Sequence, residues 1–168
     1  MNLNLDRPRI DKRYVHKVRE ENVIISDIRR ISTEPEEFEC DMIVDPTHPF
    51  FFEHPLDHIP GMMFTEAGRQ MGTAIPHLFL NVPFGTIFIS KEFNIRFDAF
   101  AELEEPITIR ARVNNRSFRH GALFEGTLEG EFYQCGTIVS SMHGNWKMFP
   151  KEVYKRFRQH EIHSTAKS

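Results

Sequence analysis

The sequence predicts an α+β domain in which a strongly curved antiparallel sheet wraps one central helix. Three observations lead there. Two short apolar segments open the chain, one proline-free stretch with a helical apolar stripe follows, and four alternating segments come after it. The length of 168 residues gives room for one domain with short tails.

Val23-Ile24-Ile25 and residues 38–44 are expected to form the first two strands, joined by a charged connection over residues 29–37 that contains Pro35. Four prolines, Pro46, Pro49, Pro55 and Pro60, then forbid regular structure and predict an ordered loop. Over residues 62–75 no proline intervenes. Met63, Ala67, Met71 and Ile75 recur at i+4 and mark the buried stripe of a helix expected to stop at Pro76. Residues 86–97, 107–116, 122–130 and 132–149 read as strands, because Phe93, Ile95 and Phe97, and likewise Ile107, Ile109, Ala111 and Val113, alternate with polar neighbours. Turns are expected at Asn114-Asn115 and at Glu129-Gly130-Glu131. Residues 1–13 read as an N-terminal tail, 14–150 as the single domain, and 151–168 as a basic tail or short helix.

Composition narrows the function. Twenty-one Lys and Arg against 24 Asp and Glu give a net charge of -3, which supplies no field for nucleic acid or anionic lipid. The stretch 70–90 lacks charge, but Pro76, Pro83, Gly72 and Gly85 break it, so no membrane insertion is expected. Residues 1–13 carry no apolar signal segment, and Cys40 and Cys135 stand without CxxC spacing. A cytoplasmic protein with two core thiols follows as the expectation. Sixteen Phe against three Tyr and one Trp form much rigid apolar surface, to be spent on a lined pocket, an interface, or both.

Chemistry concentrates between His48 and Gln70, where Pro60-Gly61 is followed by Glu66-Ala67 and Arg69-Gln70. This Pro-Gly-x-x-x-x-Glu-Ala-x-Arg-Gln signature resembles the AfsA-like (A-factor biosynthesis) branch of the hotdog superfamily. Val15-His16-Lys17, Glu21-Asn22-Val23, the run Glu102 to Ile107, and Tyr154-Lys155-Arg156-Phe157-Arg158 match the same pattern, so the likeness spans about residues 14–158. A more distant resemblance is to β-hydroxyacyl-ACP dehydratases, which sets His54 on the dehydratase histidine and Glu66 on its acidic partner. The first resemblance implies a hotdog fold and acyl transfer from a carrier-bound β-ketoacyl thioester to a glycerol-type hydroxyl, a step of secondary metabolism. It also implies a homodimer, because family members carry two hotdog units in one chain and this chain has room for one.

A thioester is already activated, so the transfer needs an oxyanion hole and a base rather than an enzyme nucleophile. The N–H groups of Gly61 and Met62 at the helix start are the expected oxyanion donors. Glu66 is the expected base, its pKa raised if Phe and Met side chains desolvate it and lowered if Arg69 pairs with it at i+3. His54 completes the catalytic candidates, and Phe52, His58, Met63, Arg69 and Gln70 are the expected substrate contacts. No metal is expected, since Pro55 prevents a helical pairing of His54 with His58. No cofactor is expected beyond the phosphopantetheine or coenzyme A that the substrate carries.

Three function classes remain open at this point: the acyltransferase, a thioesterase or dehydratase on the same scaffold, and a non-catalytic acyl binder. The last predicts a Glu66 fully paired with Arg69. Lys147, Lys151, Lys155, Arg156 and Arg158 form either a solvated face or a docking patch for an acidic acyl carrier protein.

Overall fold

The computed structural model describes residues 5–165, with side chains to residue 160. Six antiparallel strands wrap one helix, the hotdog arrangement. The strands are β1 (Arg29–Thr33), β2 (Glu36–Met42), β3 (Ile87–Phe97), β4 (Ile107–Arg119), β5 (Ala122–Gln134) and β6 (Thr137–Phe149), and they lie in the order β1-β2-β4-β5-β6-β3. Helix α1 (Gly61–Phe79) fills the concave side, and α2 (Lys151–Thr165) follows β6.

The stripe of α1 packs inward as its spacing requires, with Met63, Ala67, Met71 and Ile75 all inaccessible to solvent. Gly68 and Gly72 let the helix approach the sheet closely. A Cβ at Gly68 would stand 2.5 Å from Met142 Sδ and 3.1 Å from Phe93, and one at Gly72 would stand 3.1 Å from Leu128. We expect Gly68→Val to cost about 2 kcal/mol by overpacking. Urea unfolding checks this, and a midpoint equal to the parent's would contradict the packing described.

The strand-to-strand turns differ from expectation. Tight two-residue turns at His120-Gly121 and Cys135-Gly136 link β4 to β5 and β5 to β6. All four residues have positive φ (51°, 78°, 49° and 75°), the geometry that matches the twist of a hairpin. Asn115, expected in a turn, is instead a left-handed residue at a register shift inside β4. Gly130 lies in mid-strand, opposite Ala111 and Met142, where a Cβ would run into Met142 and the Arg110 carbonyl.

The first strand is also displaced. Residues 23–25 run beside β2 with only an isolated bridge from Ile25 to Met42, although Ser26 N–H donates to the Asp41 carbonyl at 2.9 Å. The strand proper is β1, within the stretch read as a connection. Its side chains are mostly exposed, and Arg29 pairs across to Glu39 and Arg30 to Glu36, both at 2.8 Å. A charged edge strand leaves no apolar alternation to read. Helix α1 also runs past Pro76 to Phe79, because the Pro76 carbonyl accepts the N–H groups of Leu80 and Val82 (both 3.1 Å) and closes the last turn.

Ile10 and Val15 are buried with the main core, and Ile10 N–H donates to the Ile25 carbonyl at 3.2 Å. The N-terminal segment therefore lies across the open side of α1, and Lys17 comes to the helix surface with it. Among the described residues no helix is long and apolar enough to cross a membrane.

Candidate functional site

The proline-rich loop folds over the front of α1. Asp45 starts it, accepting the Thr47 N–H at 2.8 Å and the Thr47 hydroxyl at 2.7 Å. His48 N–H bonds the Asp45 carbonyl, and Ile59 N–H bonds Ala101. Pro60 ends the loop with φ -69° and gives the helix no side-chain cap. Met63 N–H turns back to the Pro60 carbonyl at 2.9 Å, so the outward donors of the first turn are Gly61 and Met62.

Glu66 stands one turn into the helix at the centre of a polar cluster. Its Oε1 accepts from Lys17 Nζ (2.7 Å), Arg69 Nη2 (2.8 Å) and Gln70 Nε2 (2.9 Å), and its Oε2 accepts from Arg69 Nε (2.9 Å). Burial alone would raise the Glu66 pKa. The Arg69 fork, the Lys17 ammonium and the Gln70 amide outweigh it and hold the carboxyl down at about 2. This reverses the upward shift considered from sequence, because the i,i+3 pair forms and a lysine from the N-terminal segment joins it. Arg69 is committed further, to the Val15 carbonyl at 3.1 Å and Thr73 at 3.4 Å.

Gln70 is fully buried and joins the helix to the segment that precedes β1. Its oxygen accepts Ile24 N–H at 3.0 Å, and its amide donates to the Asn22 carbonyl at 2.8 Å as well as to Glu66. The Asn22 side chain continues the chain of contacts to His48, 5% exposed, whose Nε2 lies 3.1 Å from Asn22 Oδ1. His48 Nδ1 accepts Phe50 N–H at 3.2 Å, so the proton resides on Nε2 and is donated to Asn22. Around these groups lies a hollow of about 430 Å³, with Phe50, Phe51 and Met62 as apolar walls and Lys17, Asn22, His48, Thr65 and Glu66 as polar ones.

The expected residues divide among three environments. Glu66 and Met62 line this hollow, and Arg69 and Gln70 stand behind it. Gly61 opens instead on a second hollow of about 510 Å³, with His58, Phe97 and Phe100, and a Cβ there would meet the Phe97 ring at 2.8 Å. His58 is paired with Asp57 at 2.7 Å and packs edge-on to Phe100. Met63 is sealed in the core, and Phe52 is half-buried against it. His54 is exposed on the loop, lines neither hollow and has no hydrogen-bond partner among the described residues. Sequence reasoning passed over Lys17, Asn22 and His48. All three lie in quoted matching segments, but nothing in their spacing ties them to Glu66, 44 or more positions away for the first two. Among the described residues no group of three or more His, Cys, Asp or Glu is placed to hold a metal ion.

The segment that delivers Lys17 is fastened by a histidine pair. His16, at φ 55°, sets its Nε2 2.9 Å from Nε2 of His77, and His77 Nδ1–H donates to the Val82 carbonyl at 2.8 Å. Burial lowers both pKa values, and for His16 the facing His77 and Arg69 lower it further. Both rings are therefore neutral in the folded chain at neutral pH. Their folded-state pKa lies below the unfolded 6.5, so this contribution is full above pH 6.5 and is lost as pH falls through the lowered values. Thermal unfolding from pH 8 to pH 5 should show a falling midpoint in the parent and a flatter profile in His77→Asn; parallel profiles would contradict the clasp.

A family model described as the A-factor biosynthesis hotdog domain matches residues 4–150. The chain is similar, at 36% identity over 73 residues, to the 2-oxo-3-(phosphooxy)propyl 3-oxoalkanoate synthase of Streptomyces virginiae, a match covering 44% of this chain and 22% of that protein. It is 32% identical over 97 residues to the synthase of the same name from Streptomyces griseus, covering 58% of this chain and 28% of the relative. The chain thus matches less than a third of the length of these relatives. Among solved structures, a Lactococcus lactis protein described as a thioesterase superposes with a TM-score of 0.60 at 14% identity, covering 80% of this chain and 99% of that one. A Streptococcus pneumoniae protein described as a hypothetical thioesterase and solved with coenzyme A gives 0.54 at 9% identity, over 74% and 87%. At these identities the superpositions speak for the fold alone.

Proposed function

This chain belongs to the A-factor biosynthesis hotdog family, and from that premise we propose that it transfers a fatty β-ketoacyl group from a thioester to the hydroxyl of a phosphorylated three-carbon acceptor. The observation that carries the reading is the junction in the smaller hollow, where a Phe50, Phe51 and Met62 wall suited to an acyl chain meets the Lys17 and Glu66 pair. The names of the Streptomyces relatives, phosphooxypropyl oxoalkanoate synthases, support the choice of acyl group and acceptor.

Glu66 is too acidic for a base tuned near neutrality. It accepts a hydrogen bond from the acceptor hydroxyl and fixes its direction of attack. The hydroxyl oxygen bonds to the thioester carbonyl carbon, the carbon–sulfur bond breaks, and the hydroxyl proton ends on the departing sulfur. Met62 N–H at the helix start and the Lys17 ammonium, 2.7 Å from Glu66, stabilise the oxyanion that forms between these steps. The thioester arrives on an acyl carrier protein or coenzyme A. A second copy completes the assembly at the Phe97 end of the unpaired edge of β3, beside the exposed Phe97 and Phe100.

A second reading has its own support. A Glu66 with every near contact taken by Lys17, Arg69 and Gln70 suits a dimer that holds an acyl chain without reacting it. Mass spectrometry of a 3-oxoacyl thioester incubated with the protein, with and without dihydroxyacetone phosphate, separates the readings. The phosphorylated ester is the expected product. Free acid alone identifies a thioesterase, and intact thioester recovered with the protein identifies the binder.

A further inference from the structure

Helix α2 and the edge of the sheet form a groove of about 470 Å³ that the site above does not use. Phe149, Tyr154 and Phe157 make its apolar floor, and Phe157 is 59% exposed. Lys91, Lys147 and Arg158 stand around it. Lys91 falls at the register shift between Ser90 and Glu92 on β3, an edge strand, and a bulge there turns a side chain out of the regular alternation. Lys147 pairs with Glu125 at 3.5 Å across the surface, and Lys155, paired with Glu152 at 3.3 Å, and Arg156 directly precede Phe157 on the same helix. This concentration of cations occurs in a chain whose net charge is -3, so general basicity does not account for it.

We propose that this groove docks an acidic amphipathic helix of a protein partner, whose apolar residues cover Phe157 and Tyr154 while its carboxylates meet Lys91, Lys147 and Arg158. Charge decides against a second copy of this chain, since a two-fold contact through the groove would oppose cations to cations. Resting on the function proposed above, the partner is the acyl carrier protein that delivers the thioester.

The test titrates fluorescently labelled holo-acyl carrier protein against the full chain at 50 and 300 mM NaCl, in parallel with binding of a 3-oxoacyl pantetheine thioester that lacks the carrier. Parent binding should weaken about 10-fold across that salt range, as an interface of exposed charges does. K91E/R158E should weaken carrier binding at least about 10-fold at low salt and flatten the salt dependence, F157S should weaken it without flattening, and all should bind the pantetheine thioester equally. K91Q/R158Q provides the same reading if the reversed variant does not fold. A parent that does not bind the carrier, or variants that bind it like the parent, overturn the proposal while thioester binding leaves the acyl reading standing. Loss of thioester binding in the parent overturns that reading instead. A change of oligomeric state in F157S makes the groove a self-interface and also overturns the docking proposal.

Discussion

Glu66→Gln should lower acyl transfer by at least about 100-fold and destabilise the fold by about 2 kcal/mol at pH 7. The amide keeps the shape of the side chain but leaves the Lys17 ammonium and the Arg69 guanidinium facing each other with no anion between them. The pH dependence isolates this cause. The folded-state pKa of Glu66 is about 2 against an ordinary value of 4.5, so its contribution is full above pH 4.5 and is lost as pH falls toward 2. Parent and variant stabilities, measured by urea unfolding, should therefore converge over that window and remain separated above it. The histidine clasp is common to both proteins, so it cancels from the difference. Undiminished turnover in the variant, at preserved fold, would remove Glu66 from the reaction.

Gln70→Leu is expected to cost more stability, about 3 kcal/mol, although it replaces a buried side chain by one of similar volume. The amide serves three groups at once, and leucine would leave Ile24 N–H and the Asn22 carbonyl without their buried partners and Glu66 with one donor fewer. Urea unfolding reads the loss, and hydrogen exchange locates it: the Ile24 amide should exchange faster than in the parent by a larger factor than the amides of β5. A variant within about 0.5 kcal/mol of the parent would mean that these groups find other partners. Because Asn22 also holds His48, the same substitution should loosen the Phe50 wall and weaken binding of the acyl chain.

These residues show where sequence reading reached and where it stopped. The i+4 stripe from Met63 to Ile75 named the central helix because burial against a sheet demands that spacing, and the alternation in β3 and β4 named strands for the same reason. Strand β1 escaped because its stability comes from cross-strand charge pairs rather than from an apolar face. The hairpins escaped because a histidine and a cysteine hold the left-handed positions more often given to Asn or Asp. Within the site, Glu66, Arg69 and Gln70 were legible because one helix fixes their mutual spacing. Lys17 and His48 were not, since each reaches the carboxylate cluster through the tertiary path of a different loop. The Arg69 pairing that the i,i+3 spacing allows and the Lys17 that the tertiary path adds together outweigh burial and make Glu66 more acidic.

The placement of the acyl group in the Lys17 and Glu66 hollow is tested most directly by a crystal structure with a hydrolysis-resistant amide analogue of a 3-oxoacyl pantetheine. The thioester-equivalent carbonyl should lie within hydrogen-bond distance of Met62 N–H or Lys17 Nζ, with the acyl chain along Phe50 and Phe51. An analogue bound elsewhere, such as in a separate hollow lined by Phe84 and Phe124, with the Glu66 cluster untouched, would contradict it.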